Sequence, residues 1–433
     1  MKRALAAVAV IVLLVTGQAA QASTPDILDQ LKAVPGMHVE EKESALAGQR
    51  WFWLTFRQPI DHRDPRQGWF EQRLMVQHRS TDLPMVFHTT GHNVPETMFE
   101  VEPTKILGAN QISMEYRYYF ASTPVPTDWS KDTLWQGAAD QHRIVEALKR
   151  IYVRKWIGTG ASKGGQAAVV HRRYFPQDVA GTVAYVAPNN LDDNEDSAFD
   201  RFLDHVGSQS QREHLRALAR QFLERRPAML RFLRADAARE GWTFQTVGSM
   251  DRGFENAVME YEIRFWMHTP GADQVTLPPV DASDEVLYRH LRSIPGFGFF
   301  TDQTLVPYAP AFYQAEREIG WPSLTFPHLR PLLRYEDSYD PRSYLSRDIQ
   351  VTQDQRVVRE VDEWVRRGGN RLMFVNGGDD PATAEPYRLG SGSRDSAVYT
   401  APGIHHDILG EIIDKLPEWQ KGKAIADLRR WAR

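Results

Sequence analysis

Between an apolar run and a segment with helical spacing, the chain sets one serine among glycines: Gly160-Ala161-Ser162-Lys163-Gly164, with Gly165 next. G-x-S-x-G is the signature of a strained strand-to-helix corner, in which the serine backbone leaves the ordinary regions and the flanking positions have no room for side chains. Such a corner demands a strand ending at Ala161 and a helix beginning at Lys163. The surroundings meet that demand. Leu134, Ala138, Gln141, Val145, Leu148 and Tyr152 recur at helical spacing, with Ser130 and Asp132 as the expected N-cap and first-turn acid. The run from Lys155 to Ala161 then reads as a strand, Lys163 to about Tyr174 as a helix, and Asp178 to Pro188 as another strand. Strand and helix in alternation predict a parallel sheet with crossover helices.

Upstream, Arg50–Pro59 and Trp69–Ser80 flank a turn and alternate apolar with polar positions, which predicts an antiparallel hairpin. Two short apolar runs, around Met85 and around Ile112, read as buried strands. From Leu191 to Ser346 the character changes to charged helices and then to Pro- and aromatic-rich pieces; its first third reads as a solvated helical face. Strand patterns return at Arg371 and at Ser396, and a helix closes the chain. At 433 residues the chain exceeds one ordinary core. We therefore expect an α/β fold: one sheet formed by residues 23–190 and 347–433, interrupted by a mostly helical insertion over 191–346, far longer than an ordinary connection.

The N-terminus carries Lys2 and Arg3, an apolar stretch from Ala4 to Val15, and Ala20-Gln21-Ala22. This is the pattern of a secretory signal peptide over residues 1–22, cut after Ala22, and its apolar stretch is too short for a membrane-spanning helix. A secreted or periplasmic, soluble protein is expected. The chain has no cysteine, which excludes disulfides and thiol catalysis. The formal charge of −4, more negative once the leader is removed, offers no electrostatic footprint for nucleic acid or an anionic membrane.

A serine hydroxyl attacks only when a base takes its proton, and the base works best when a carboxylate orients it. In α/β-hydrolases the order along the chain is serine, acid, histidine, the last two on loops after later strands. The strand from Arg371 ends in Asp379-Asp380-Pro381, and the strand from Ser396 ends in His405-His406-Asp407, so the order agrees. Asp380 is favoured over Asp379 because the following proline holds it extended at the strand end. The residues themselves leave His405 and His406 open. The N–H of Lys163, with that of Gly91 or His92 from the turn after Phe87, is expected to hold an oxyanion. No metal or cofactor is expected, since the histidine pair lacks an H-E-x-x-H pattern.

Residues 58–79, 110–129, 136–165, 175–189 and 257–268 carry a resemblance to a family of secreted bacterial serine peptidases, the thirty-seventh serine family, whose described members are tripeptidyl aminopeptidases. More distantly, 115–124 and 160–165 are similar to the lysosomal prolyl carboxypeptidase and dipeptidyl peptidase family, which pairs an α/β-hydrolase core with a helical cap. The resemblance implies a Ser162, Asp380, His406 triad, with His406 preferred because Gly403 precedes the pair at the family's spacing. It further implies peptide substrates with a free N-terminus, whose ammonium calls for a carboxylate; Glu260 and Glu262 are the candidates, each set against the alternative of an exposed acid paired with Arg264. Tyr308, Tyr313 and Trp266 could wall such a pocket or pack a core. His92, Ala382 and Gln166 depart from the family's pattern and bear on substrate preference. Two other readings of the same core remain: a secreted esterase or lipase on the same triad, and an inactive hydrolase-fold binding protein.

Overall fold

The computed structural model describes residues 25–191, 197–322, 324–335, 339–407 and 411–433. The expected signal peptide lies outside the described residues. Among them, no helix is long and apolar enough to cross a membrane.

Nine strands form one sheet: β1 Met37–Lys42, β2 Arg50–Pro59, β3 Trp69–His78, β4 Met85–Thr89, β5 Asn110–Met114, β6 Trp156–Ala161, β7 Gly181–Tyr185, β8 Leu372–Gly377 and β9 Ala397–Ala401, in the order β1-β2-β3-β5-β4-β6-β7-β8-β9. The expected hairpin is present, with Arg50 opposite His78 and Pro59 opposite Trp69. In β2, Phe52, Leu54 and Phe56 turn inward while the residues between them are partly exposed. From β5 onward the pairing is parallel, and β4 to β8 are buried along their length, as strands covered by helices on both faces must be. After the extra strand β1, this order is that of the α/β-hydrolase fold.

The order reverses at β4, which has β5 on one side and β6 on the other. Connections leaving the carboxyl ends of β4 and β6 therefore part, and a crevice opens there. The serine corner follows β6, the Thr90–Asn93 turn follows β4, and Asp380 and His406 follow β8 and β9.

The helix before β6 runs Leu134–Leu148, and its cap is Thr133, whose hydroxyl accepts from Gln136 N at 3.2 Å. The expected capping pair belongs elsewhere: Ser130 lies in a separate turn, Trp129–Lys131, and Asp132 is fully buried. Among the described residues no strand lies between β7 and β8, and most of that segment is helical. Its charged helices are more than a solvated face, because Leu218, Phe222, Met229, Phe254, Phe265 and Trp266 form a core of their own.

Under the entry hairpin, fully buried Arg117 donates to both oxygens of Asp140, at 2.7 and 2.8 Å, and to the carbonyls of Ile60 and Lys131. Removing Arg117 strips the buried Asp140 carboxylate of both guanidinium bonds and leaves it the His62 ring, 2.7 Å from Oδ1, as its remaining side-chain partner. Arg117→Met should therefore lower stability by about 3–5 kcal/mol, seen as a lower urea midpoint at unchanged slope.

Candidate active site

Ser162 has φ 54° and ψ −128°, a left-handed conformation rare outside glycine. Two bonds hold it there: its N–H donates to Tyr185 O at 2.9 Å and its carbonyl accepts from Gln166 N at 3.1 Å. The glycines make room for this. A Cβ on Gly160 would lie 2.3 Å from Gly164 O, and one on Gly164 would lie 2.4 Å from Thr89 O.

Asp380 is fully buried and fixed at both oxygens: Oδ1 accepts from Ala382 N at 2.9 Å, and Oδ2 accepts from His406 Nδ1 at 2.8 Å. A carboxylate can only accept, so the bond to Oδ2 places the His406 proton on Nδ1 and leaves Nε2 as the acceptor. The same histidine donates its backbone N–H to Met267 O at 3.0 Å, tying the β9 loop to the helix Tyr261–His268. Asp379 and His405 are half-buried, and burial, with the charge of Asp273, pushes the Asp379 carboxyl up. Of the two adjacent pairs, His406 and Asp380 are the members joined ring to carboxylate.

Ser162 and His406 line one cavity of about 560 Å³. Phe99, Phe199, Met267, Phe299 and Trp321 give it apolar walls; Asn93, Asn190, Glu260 and Arg264 supply polar groups. An open groove of about 620 Å³ passes Trp51 and Trp53 on the hairpin, and holds none of the residues in question.

Glu260 lines the same cavity as Ser162 and is buried, where an exposed acid was the alternative. Its Oε2 accepts from Arg264 Nε, so the expected pairing is present. Burial raises the Glu260 carboxyl above its ordinary range and Arg264 opposes that. Glu262 points elsewhere. It is buried too, bonded to Arg216 at 3.2 Å, in a separate pocket of about 210 Å³. Tyr308 lines the main cavity, whereas Tyr313 and Trp266 pack in the core of the helical insertion.

At the corner, Lys163 occupies the first position of the helix Lys163–Tyr174, where an N–H has no acceptor within the helix. Facing it, Gly91 has φ 74°. His92 N–H already donates to Thr90 Oγ1 at 3.2 Å, while Gly91 N–H has no partner among the described residues. Of the two expected donors, Gly91 is the uncommitted one. The imidazoles of His92 and His268 are both pushed down to about 3, chiefly by burial, and are neutral.

The sequence did not point to a buried group behind this corner. Lys163 Nζ donates to Gly91 O at 2.8 Å and lies 3.7 Å from the Tyr116 ring centroid. Burial pushes Lys163 down to about 7, against the attraction of Asp132 and Glu318. These acids come from distant segments, so no spacing announces them.

The family described as PS-10 peptidase S37 matches residues 20–433. The chain belongs to that family. This S37 peptidase is 42% identical over 421 residues to the prolyl tri/tetrapeptidyl aminopeptidase of Streptomyces mobaraensis, covering 96% of this chain and 87% of that protein. Among solved structures it is similar to a proline iminopeptidase of Mycobacterium smegmatis (12% identity, 87% of this chain and 98% of that one, TM-score 0.41). It is also similar to a brefeldin A esterase (13% identity, 94% and 82%, TM-score 0.36). The S37 peptidase is thus a serine peptidase by family, with an α/β-hydrolase sheet by its own strand order.

Proposed function

We propose that this protein is an exported serine exopeptidase that releases short peptides, tripeptides foremost, from free N-termini through an acyl-enzyme. The observation that carries the reading is a single cavity lined by Ser162 on its strained corner, by His406 bonded to Asp380, and by the buried Glu260. Ser162 Oγ attacks the scissile carbonyl while His406 Nε2 takes its proton, then returns it to the leaving amine; Asp380 holds the ring tautomer. The N–H groups of Lys163 and Gly91 receive the oxyanion. Water, activated by the same histidine, releases the peptide.

Glu260 is the proposed anchor for the substrate ammonium. Arg264 engages its Oε2, leaving Oε1 for a second cation. The name of the Streptomyces relative, a prolyl tri/tetrapeptidyl aminopeptidase, agrees with an acyl portion of three or four residues. Residues 191–346 act as the cap that closes this acyl side, over a core of 23–190 and 347–433, and residues 1–22 serve as the export signal cut after Ala22.

The test compares free and N-acetylated peptides, with mass spectrometry of the products and a Ser162→Ala control. Serine-dependent release that is much faster from free than from acetylated peptides supports the exopeptidase; hydrolysis of simple esters without peptide release would leave an esterase. Glu260→Gln should lower kcat/KM for free peptides about 10- to 100-fold, the worth of a hydrogen bond to a charged group, and leave the slow cleavage of acetylated peptides unchanged. Because burial raises the Glu260 carboxyl, its charge is lost as pH falls while ordinary carboxylates are still ionised. KM for free peptides should accordingly rise on the acid side, and KM for acetylated ones should not.

A further inference from the structure

We infer that the Lys163 side chain is a positioning residue for the oxyanion site: its Nζ–H bond to Gly91 O clamps the loop after β4 against the serine corner, so one residue offers an oxyanion donor from its backbone and holds the other in place with its side chain. The inference rests on the serine peptidase reading of Ser162 and adds a role for a residue that reading used only through its N–H.

Four observations carry it. First, the loop and the corner are in direct backbone contact, since a Cβ on Gly91 would lie 2.4 Å from Gly164 N and 2.8 Å from Lys163 C. A small drift of the loop therefore changes the distance between the two donors. Second, the Lys163 ammonium is buried, and its hydrogen bond at 2.8 Å goes to the carbonyl of the residue whose N–H is uncommitted. Gly91 O shares its peptide plane with the His92 N–H and lies one φ/ψ pair from the Gly91 N–H, so anchoring it limits how far the loop that carries the Gly91 N–H can drift from the corner.

Third, the cation is cradled from several elements. The rings of Tyr116 and Tyr119, at 3.7 and 5.4 Å from Nζ, face it from the segment after β5, and His92 faces it from the loop itself. Asp132 and Glu318 face it from the turn before Leu134 and from the segment Ala315–Ile319; burial pushes their carboxyls up to about 8 and about 7, and it is their ionised forms that attract the ammonium. Those acids are themselves pinned: Asp132 Oδ1 accepts from Gln314 Nε2 at 2.6 Å, and Glu318 Oε2 accepts from Leu134 N at 2.7 Å. Fourth, desolvating an ammonium is costly, and a methionine would fill similar volume without that cost. A group kept there has a polar task.

Lys163 is not the base of a serine–lysine pair. Its amine is directed at Gly91 O, while His406, held by Asp380, lines the cavity with Ser162.

The test uses the full chain with Lys163→Met, Lys163→Arg and Ser162→Ala, assayed on a tripeptidyl p-nitroanilide with a free N-terminus and on p-nitrophenyl acetate, and labelled at Ser162 with a fluorophosphonate. Lys163→Met should lower kcat on both substrates about 10- to 100-fold, toward the loss of one oxyanion donor, with KM within about twofold and labelling slowed by a similar factor. Lys163→Arg, which keeps a charged donor, should recover most of that loss. If the Met variant gives no cooperative melt, Lys163→Gln takes its place and should show the same split at smaller amplitude. A kcat within threefold of the parent in a folded Met or Gln variant, or a KM that rises as far as kcat falls, overturns the inference. Ser162→Ala separates the two ideas: if it is inactive while Lys163→Met is fully active, only the clamp fails; if it keeps activity, the serine reading fails with it.

Discussion

Replacing Ser162 by alanine should lower kcat for peptide release by about 10⁵- to 10⁶-fold, the scale of removing a serine nucleophile from an intact triad. The expectation follows from the corner itself. A left-handed non-glycine residue with glycines on both sides costs the fold free energy, and the only gain the geometry offers is Oγ raised into the cavity lined by His406. Alanine keeps the backbone bonds to Tyr185 O and Gln166 N and removes only the hydroxyl. Peptide binding should thus survive, measurable as an unchanged Kd for a free peptide, while chemistry stops. Loss of activity together with loss of binding would mean that Ser162 shapes the cavity instead of reacting in it, and retained activity would move the nucleophile elsewhere.

Much of the fold was legible because the chain announces parallel sheets locally. The strand Trp156–Ala161, the helix Lys163–Tyr174 and the strand Gly181–Tyr185 follow from apolar runs, helical spacing and the glycine corner, each readable within about ten residues. The hairpin was legible for a similar reason, since Phe52, Leu54 and Phe56 alternate with partly exposed neighbours. What was not legible depends on contacts across the chain. Asp132 reads as a first-turn acid, yet it is drawn into the interior to meet Gln314, and Thr133 caps the helix instead. Glu260 sits at the junction between the helices Met250–Met259 and Tyr261–His268 and Glu262 in the first turn of the second, and their different bearings send one to the serine cavity and the other to Arg216. His405 and His406 differ only in which way a loop turns. The clamp at Lys163 joins residues 72 positions apart through a backbone carbonyl, which no side-chain pattern records.

That dependence on long-range contact gives Asp380→Asn its interest. The substitution is nearly isosteric, yet kcat should fall about 10⁴-fold, as when the orienting carboxylate of a serine triad becomes an amide. The reason lies in the two bonds that fix Asp380. Ala382 N–H demands an oxygen at Oδ1, so an asparagine must place its oxygen there and its NH₂ toward His406. A donor facing Nδ1 forces the ring proton onto Nε2, and the histidine then offers Ser162 a hydrogen where it needs a lone pair. Nitrogen-15 NMR of the imidazole should show this change of tautomer, and thermal unfolding should stay near that of the parent, because an amide of nearly the same size replaces the carboxylate without leaving a cavity. Asp379→Asn is the control: it is half-buried, lies beside His405 rather than His406, and should leave kcat within a few-fold. A loss at Asp379 equal to or larger than that at Asp380 would reassign the acid and, with it, the histidine that it serves.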